Sequence, residues 1–223
     1  QGYGQTETAP VVSANPPEKV KLDTVGPLFH GVKVKIAEDG EILVSGENVM
    51  NGYWNDPEAT SKTLINGWVH TGDIGEFDEN NYLKITDRKK DIIVNAGGDN
   101  ISPTRIEAKL DIQPEIAQSM LYGDYKNYLV AVVVPDKEFA LNWAKENSKD
   151  QNFELIVKDD DFNKLIKDVV NKVNKNLSVI EQVRKFILID HEFTIDNSMM
   201  TVSMKVRRFA VKDKYKDQLE KLY

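Results

Sequence analysis

Residues 86–103 read TDRKKDIIVNAGGDNISP, and this stretch decides how the chain is divided. A charged run comes first, an apolar segment follows, and the glycines Gly97 and Gly98 precede Ser102 and Pro103. Glycine tolerates positive φ and lets a ligand approach the main chain, while serine followed by proline is typical of a helix start. The stretch therefore predicts a strand, a loop and a helix start, placed directly after a charged segment that suits a hinge.

Composition limits the classes of function. The 223 residues include 29 Lys and Arg against 36 Asp and Glu, which gives a formal net charge of −7. Proteins that bind the phosphate backbone of nucleic acids usually need a basic face, so nucleic-acid binding is not expected as the main activity. The chain has no cysteine, which excludes disulfides and thiolate chemistry, and we expect a cytoplasmic setting.

No segment of the sequence predicts a membrane span or a signal peptide. The longest apolar run, residues 128–134, has the length of one buried strand rather than of a span. The chain opens on Gln1-Gly2 without an initiator Met, so we expect it to begin inside a longer protein.

The predicted secondary structure changes character near residues 87–91. Before this point, alternating runs and tight turns predict mainly β structure, and beyond it strands and helices are mixed, so the predicted class is α/β of the α+β type. In the first part we expect a hairpin over 32–44, a short helix after Asp56, and paired strands over 67–73 and 82–85. In the second part we expect strands over 92–94, 120–122, 128–134 and 185–189, and helices over 103–110, after Asp136 and over 161–177.

Two short motifs precede the 86–103 stretch: Tyr3-Gly4-Gln5-Thr6-Glu7 and Thr71-Gly72-Asp73. An aromatic ring can stack on a base, a hydroxyl can donate to a phosphate, and a carboxylate can hold a divalent cation or accept from a ribose. Each motif alone is more often an ordinary polar loop or an Asx turn. In this order and spacing, however, they resemble the adenylate-forming superfamily of acyl-CoA synthetases, luciferases and peptide-synthetase adenylation domains, and the resemblance runs from Gly2 to about Arg208.

The resemblance implies a nucleotide site built by the first motif. Tyr3 would stack on adenine, with Gly4 and Gln5 beside the nucleotide. Thr6 would contact the α-phosphate or the acyl-adenylate, and Glu7 would bind Mg²⁺.

The second motif would complete this site. The resemblance implies that Asp73 and Arg88 hold the ribose and that Ile85 contacts the adenine face. His70 lies next to the motif, but a lone histidine on a strand is more often structural, so we assign it no role.

The 86–103 stretch would then connect two domains. By resemblance, residues 1–89 are the β-rich end of a large N-terminal adenylation domain, and residues 90–223 are a small, mobile C-terminal α+β lid. Lys90 would be the hinge pivot. The loop Ala96-Gly97-Gly98 would line the channel for the pantetheine arm of CoA.

Residues 201–208 resemble the C-terminal lysine motif of the superfamily, which makes Lys205 the candidate catalytic residue. Its ammonium would stabilise charge that develops on the carboxylate and the α-phosphate. Val202 replaces a common proline and Met204 a common glycine, and an apolar residue before the lysine is frequent in the long-chain branch. The alternative is a basic surface segment that contacts anionic lipid, formed by Lys205, Arg207, Arg208, Lys212 and Lys214.

Taken together, the resemblance implies a fragment of a long-chain fatty acid–CoA ligase that uses ATP, Mg²⁺ and CoA. The superfamily's upstream phosphate loop and acyl pocket do not occur in these 223 residues, so we expect the chain to be incomplete on its own. Two alternatives stay open: an aminoacyl or aryl adenylating domain that delivers to a carrier protein, and a non-catalytic interaction domain that keeps the fold. Acyl chain length, oligomeric state and peripheral membrane contact are left open by the sequence.

Overall fold

A computed structural model describes all 223 residues, and in it the chain forms two compact units, Gln1–Lys90 and Asp91–Tyr223. The mixed α and β content confirms the predicted fold class. None of the helices combines the length and the apolar character that a membrane crossing needs.

The first unit is rich in antiparallel β structure. Its elements are β1 (Gly2–Gly4), β2 (Val11–Ala14), β3 (Lys33–Ile36), β4 (Glu41–Ser45), α1 (Pro57–Thr63), β5 (Leu64–Ile65), β6 (Trp68–Phe77) and β7 (Leu83–Arg88). β1 pairs with β2, while the other five strands form one sheet in the order β3-β4-β6-β5, with β7 also paired to β6. A small apolar core holds this unit together, around the buried side chains of Val12, Ile42, Val44 and Leu83.

The predicted hairpin is β3 and β4. Val34 pairs with Val44, and Gly40 in the connecting turn has a φ of +83°, which only glycine adopts readily. Because β4 lies between β3 and β6, its residues are buried almost throughout. The buried residue at its start is Glu41, which is 4% exposed.

The strands predicted over 67–73 and 82–85 extend further than expected. β6 has ten residues of alternating burial and turns back into β7. Their pairing places Asp73 opposite Arg88. This register brings an acid and a base from separate sequence motifs to the same end of the sheet.

The second unit is a three-stranded sheet covered by helices. Its elements are β8 (Ile93–Val94), β9 (Asn100–Ile101), α2 (Pro103–Asp111), β10 (Ile116–Tyr122), β11 (Leu129–Pro135), α3 (Lys137–Glu146), α4 (Phe153–Ile156), α5 (Asp160–Asn174), β12 (Val183–Leu188) and α6 (Arg208–Glu220). The sheet order is β10-β11-β12, with β10 antiparallel and β12 parallel to the central strand.

Strand β11 separates two apolar cores. Leu129, Ala131 and Val133 contribute to a core with α2, α3 and α5, while the alternate residues contribute to a core with α6. Successive side chains of a strand point to opposite faces, so a strand that is covered on both faces must be apolar throughout. This explains why residues 128–134 form an unbroken apolar run.

Helix starts follow the expected chemistry. Ser102 is the N-cap residue of α2 and Pro103 its first residue. The Asp136 carboxylate accepts the Phe139 N–H at 2.7 Å, and Asp159 caps α5 in the same way. Acceptor side chains at this position satisfy N–H groups that have no partner inside the helix.

Several short elements were not predicted individually, and two unpredicted elements lie in segments that had been interpreted otherwise. Asn100–Ile101 forms β9, which pairs with β8, so a small hairpin precedes α2 instead of a plain loop. α6 occupies part of the segment that the alternative interpretation treated as a basic surface segment. Its apolar positions, Val211, Tyr215 and Leu219, recur every four residues and are buried. The many lysines between them obscured this period.

Candidate functional site

The first unit contains a polar pocket of about 670 Å³. Its walls come from residues 4–7, 62–63, 70–72 and 88–89, together with Glu41 and Tyr53. Gly4 to Glu7 of the first motif and Thr71-Gly72 of the second therefore line one cavity, although Gln5 and Thr71 are 66 residues apart in the chain.

Asp73 connects these motifs. Its carboxylate is buried, with 3% of the residue exposed. The Tyr3 hydroxyl and the Gln5 Nε2 each donate to Oδ2 at 2.6 Å, and Arg88 Nε lies 2.8 Å from Oδ1. Four residues that were assigned to one nucleotide site thus meet at one carboxylate.

Local structure holds Asp73 in this position. Thr71 Oγ1 donates to the Ile42 carbonyl at 2.7 Å and accepts the Asp73 N–H at 3.1 Å. Gly72 between them has a φ of +68°, in the left-handed region that favours glycine. Each residue of Thr71-Gly72-Asp73 therefore has a structural role: Thr71 supplies hydrogen bonds, Gly72 allows the turn, and Asp73 is held by Thr71.

Tyr3 is fixed as a hydrogen-bond donor. Burial raises the pKa of its phenol well above the usual range, and the hydrogen bond to Asp73 raises it further. The phenol stays protonated at any physiological pH. The ring also packs on the core of the first unit, as does Ile85, so both residues assigned to adenine lie against the same apolar cluster.

Thr6 and Glu7 lie on a 3-10 turn over Thr6–Thr8. The turn is fixed by Thr8, whose Oγ1 accepts the Gln5 N–H at 3.0 Å. Thr6 is exposed at the pocket. Glu7 accepts a hydrogen bond from the Tyr53 hydroxyl at 2.7 Å, and this bond, with some burial, raises the pKa of Tyr53. Tyr53 was not among the residues that the motifs predicted.

Three more residues of the pocket were missed by sequence reasoning. They are Glu41, Lys89 and His70, the last of which was assigned no role. Glu41 lies behind the Thr71–Asp73 turn, where its carboxylate contacts both His70 and Lys89. The sequence signal that could have identified Glu41 is an acidic residue at the start of a strand that is otherwise mainly apolar. Its partners are 29 and 48 residues away in the chain, so no local pattern names them.

Lys90 is exposed and is the last residue of the first unit. The loop Ala96-Gly97-Gly98 belongs to the second unit and joins β8 to β9. The Asn95 side chain closes this loop, because its Oδ1 accepts the N–H groups of Gly97 and Asp99, each at 2.9 Å. Both glycines were expected to be able to take positive φ, but only Gly98 does so, at +87°.

Lys205 also belongs to the second unit and lies in a turn just before α6. Thr201 donates its N–H to the Lys205 carbonyl at 2.8 Å, and the Lys205 N–H donates to Thr201 Oγ1 at 3.1 Å. The turn places Met204 at a φ of +59°. Lys205 is exposed, and its side chain makes no ion pair, so its ammonium is free to meet an anion.

The basic segment is not a uniform positive surface. Arg208 binds both oxygens of the buried Glu107, Lys212 lies 3.4 Å from Asp124, and Lys214 lies 3.0 Å from the His191 Nε2. Lys205 and Arg207 are the exposed cations that remain.

Comparison with known protein families supplies the identity. Residues 90–223 match the family of the AMP-binding enzyme C-terminal domain, and residues 1–54 match the AMP-binding enzyme family. The chain belongs to the AMP-binding enzymes. The family resemblance that the three motifs predicted is thereby confirmed.

Relatives within this family include fatty-acid ligases. The chain is 37% identical over 225 residues to the long-chain-fatty-acid–CoA ligase FadD15 of Mycobacterium bovis, covering all of this chain and 38% of that protein. It is 33% identical to the human long-chain-fatty-acid–CoA ligase 1, covering all of this chain and 34% of the relative. The chain therefore spans just over a third of the length of these relatives.

Solved structures of several adenylating enzymes share the fold. The adenylation domain of a carboxylate reductase from Mycobacterium chelonae matches with a TM-score of 0.79 and 26% identity, over all of this chain and 34% of the other. The O-succinylbenzoate–CoA synthetase of Bacillus subtilis, solved with AMP, matches with a TM-score of 0.71 and 27% identity, over 96% of this chain and 40% of the other.

Proposed function

We propose that this AMP-binding enzyme chain is part of an ATP-dependent long-chain fatty acid–CoA ligase. Two half-reactions are involved. A fatty acid carboxylate attacks the α-phosphate of ATP, which gives acyl-AMP and pyrophosphate, and the CoA thiol then attacks the acyl carbon and releases AMP. The names of the relatives favour this substrate class, and the geometry around Asp73 supports the nucleotide part.

The observation that carries the proposal is the set of donors gathered on the Asp73 carboxylate. A carboxylate offers about four acceptor positions, and Tyr3, Gln5 and Arg88 occupy three of them. A ribose hydroxyl can use the remaining position or replace a neutral donor. The ion pair with Arg88, 2.8 Å from Oδ1, orients the carboxylate for this task.

The carboxylate of Glu7 fits a role in holding Mg²⁺ together with the substrate. The chain has no cluster of three or more His, Cys, Asp or Glu side chains that could hold a metal. Mg²⁺ commonly binds through one or two carboxylates, waters and substrate phosphates, so a single carboxylate at a nucleotide pocket suits it. When bound, the ion would neutralise charge on the phosphates. Thr6, exposed beside Glu7, would donate to the α-phosphate.

The second unit would act as the mobile lid. An exposed ammonium on a fixed turn, as at Lys205, can stabilise negative charge in a site that excludes water. After adenylation the lid would turn about Lys90, and the loop Ala96-Gly97-Gly98 would take the place of Lys205 at the channel for CoA. Lys205 would thus serve adenylation, and the loop would serve thioester formation.

A second candidate is an adenylating domain that passes its acyl group to a carrier protein. The match to carboxylate reductase structures favours it. The further alternative, a non-catalytic interaction domain, would keep the fold and use its acidic surface for a protein partner.

One assay separates the three. The full-length protein that contains this chain is incubated with ATP and, in turn, palmitate, benzoate or an amino acid, with and without CoA. The proposal expects AMP release that needs CoA and is fastest with palmitate. Acyl-AMP without transfer to CoA would favour the carrier alternative, and no acyl-AMP with any acid would favour the interaction domain. The 223-residue chain alone is expected to be inactive, because part of a pre-organised site cannot gather the reactants.

A further inference from the structure

Glu41 is a buried acid that no step of the proposed reaction uses. Its carboxylate accepts the Gly72 N–H on Oε1 at 2.9 Å and the Lys89 ammonium on Oε2 at 2.9 Å. The His70 Nδ1 lies 3.1 Å from Oε2. Both oxygens are therefore occupied by groups from separate parts of the first unit.

Gly72 is held on both sides of its peptide. Its N–H is bound by Glu41, and its carbonyl accepts the Lys89 N–H at 2.8 Å. A side chain at Gly72 would meet nothing within 4 Å, so space does not require glycine here. The positive φ favours it, and this conformation turns the following residue, Asp73, toward Tyr3 and Arg88.

Lys89 is fixed just before the proposed hinge pivot. Its ammonium lies 2.6 Å from Asp39 Oδ2 as well as 2.9 Å from Glu41, and these contacts raise its pKa. Asp39 belongs to the turn before β4 and accepts the Glu41 N–H at 3.1 Å. The groups that face Glu41 are thus one lysine, one histidine and a backbone N–H, with Asp39 sharing the lysine.

An ion pair of this kind adds little to stability as such. Removing charges from water costs energy, and an apolar pair of similar volume often serves a core equally well. An apolar side chain at position 41, however, would leave the Gly72 N–H without its acceptor and release Lys89. The hydrogen bonds of Glu41 therefore fix the positions of Gly72 and Lys89 relative to each other, which apolar contact alone would not do.

We infer that Glu41 is a positioning residue that ties the Thr71–Asp73 turn to Lys89. It holds the Asp73 carboxylate in the orientation for ribose, and it fixes the chain up to Lys89, so that movement begins at Lys90. The role in catalysis rests on the proposed function, whereas the connection between Gly72, Glu41 and Lys89 is a property of this chain.

The connection is tested first without any reaction. Hydrogen exchange of the Gly72 amide is measured by NMR in the 223-residue chain and in the variants Glu41→Gln, Lys89→Met and the double variant. Losing a charge-assisted hydrogen bond is expected to speed exchange about tenfold. The double variant should be no faster than the faster single variant, because the two residues act as one unit. Glu58→Gln, which breaks an exposed pair with Lys62, is the control and should leave the rate unchanged.

The consequence for catalysis is tested in the full-length protein. Glu41→Gln is expected to raise the apparent KM for ATP in acyl-AMP formation about tenfold with kcat within about threefold of wild type, since the Asp73 contact is misplaced rather than lost. Lys89→Met should slow thioester formation from supplied acyl-AMP more than adenylation, and Lys89→Arg should restore part of that rate.

Each outcome decides the inference. Unchanged Gly72 exchange in Glu41→Gln, or additive effects in the double variant, would overturn it. So would a lower melting temperature with an unchanged KM for ATP, because Glu41 would then be purely structural. If the wild-type protein forms no acyl-AMP at all, the proposed function fails, while the exchange result still decides whether Glu41 makes this connection.

Discussion

Asp73 is the residue at which the sequence motifs meet in space. Its buried carboxylate joins Tyr3 and Gln5 of the first motif to Arg88 of β7. The sequence assigned these residues to one nucleotide site through a family resemblance. It gave no sign that this candidate site would be held together by hydrogen bonds among the residues assigned to it.

The first prediction concerns Asp73→Asn. The amide keeps the volume but presents an NH₂ group to donors and removes the charge that faces Arg88. Because Arg88 is half exposed and can be solvated, we expect a loss of about 1–3 kcal/mol in the free energy of unfolding, together with a raised KM for ATP in the full-length protein.

Urea unfolding of the 223-residue chain measures the stability change, and Glu76→Gln is its control. Glu76 lies on the same strand in an exposed pair with Lys84 at 3.6 Å, so we expect a change below about 0.5 kcal/mol. Equal losses in the two variants would contradict a special role for the Asp73 cluster.

The second prediction concerns acid sensitivity at Glu41. Burial opposes ionisation of this carboxyl, but the hydrogen bonds from Lys89, Gly72 and His70 outweigh burial and lower its pKa below the ordinary 4.5. A lowered pKa in the folded state stabilises the fold above the unfolded pKa, and this stabilisation is lost as pH falls through the folded value. Stability of the first unit should therefore decline as pH falls below about 4.5.

The measurement is the free energy of unfolding against pH for wild type and Glu41→Gln. The variant is expected to be less stable at neutral pH, and its decline below pH 4.5 should be shallower because the carboxyl no longer titrates. An identical slope in both proteins would show that other carboxylates account for the acid sensitivity.

At the scale of elements, α6 determines how the Lys205 turn is presented. The turn ends where Arg207 donates its N–H to the Met199 carbonyl at 2.7 Å, and the helix begins at Arg208. Arg208 binds Glu107 of α2, which is 7% exposed and also accepts the Leu121 N–H at 2.6 Å. The start of α6 is thus attached to α2 and β10.

The third prediction is that Arg208→Met destabilises the second unit by about 3–5 kcal/mol, because it leaves the Glu107 carboxylate buried without its cation. Hydrogen exchange of the α6 and β10 amides should rise in parallel. Lys212→Met is the matched change on the same helix, where the pair with Asp124 is partly exposed, and it should cost about 0–1 kcal/mol. Similar costs in both variants would mean that Arg208 does not anchor the helix.

Elements were predictable where the residue pattern itself decides the structure. The alternation in β3 and the apolar run of β11 have a direct physical cause in burial on one face and on two faces, respectively. β9 was missed because a two-residue strand depends on the turn that Asn95 closes with its side chain. α6 was missed because its apolar residues stand among lysines.

The site was predictable to a smaller extent, for a similar reason. Tyr3, Gln5, Asp73 and Arg88 belong to motifs that a family resemblance can identify. Glu41 and Tyr53 act through partners that are 29 or more residues away, and only the folded chain brings those partners together. The sequence also offered no reason why glycine is common at the position of Met204. The folded chain supplies one, because Met204 has a positive φ.

At the scale of the whole molecule, the two units have separate tasks in the proposed reaction. The first presents a polar pocket with a buried carboxylate, and the second presents an exposed ammonium at Lys205 and a glycine loop closed by Asn95. The family of both units is established by comparison. The order in which the second unit's two features act is the part of the account that an experiment must decide.

The most direct measurement separates the half-reactions in the full-length protein. Charge develops on the α-phosphate during adenylation, and a nearby ammonium is worth most at that moment. Lys205→Ala should therefore slow acyl-AMP formation about 10²–10³-fold and leave thioester formation from supplied acyl-AMP near the wild-type rate. Lys212→Ala, which removes a cation already paired with Asp124, should change neither rate. Equal loss of adenylation in both variants, or a block of thioester formation alone in Lys205→Ala, would contradict the account.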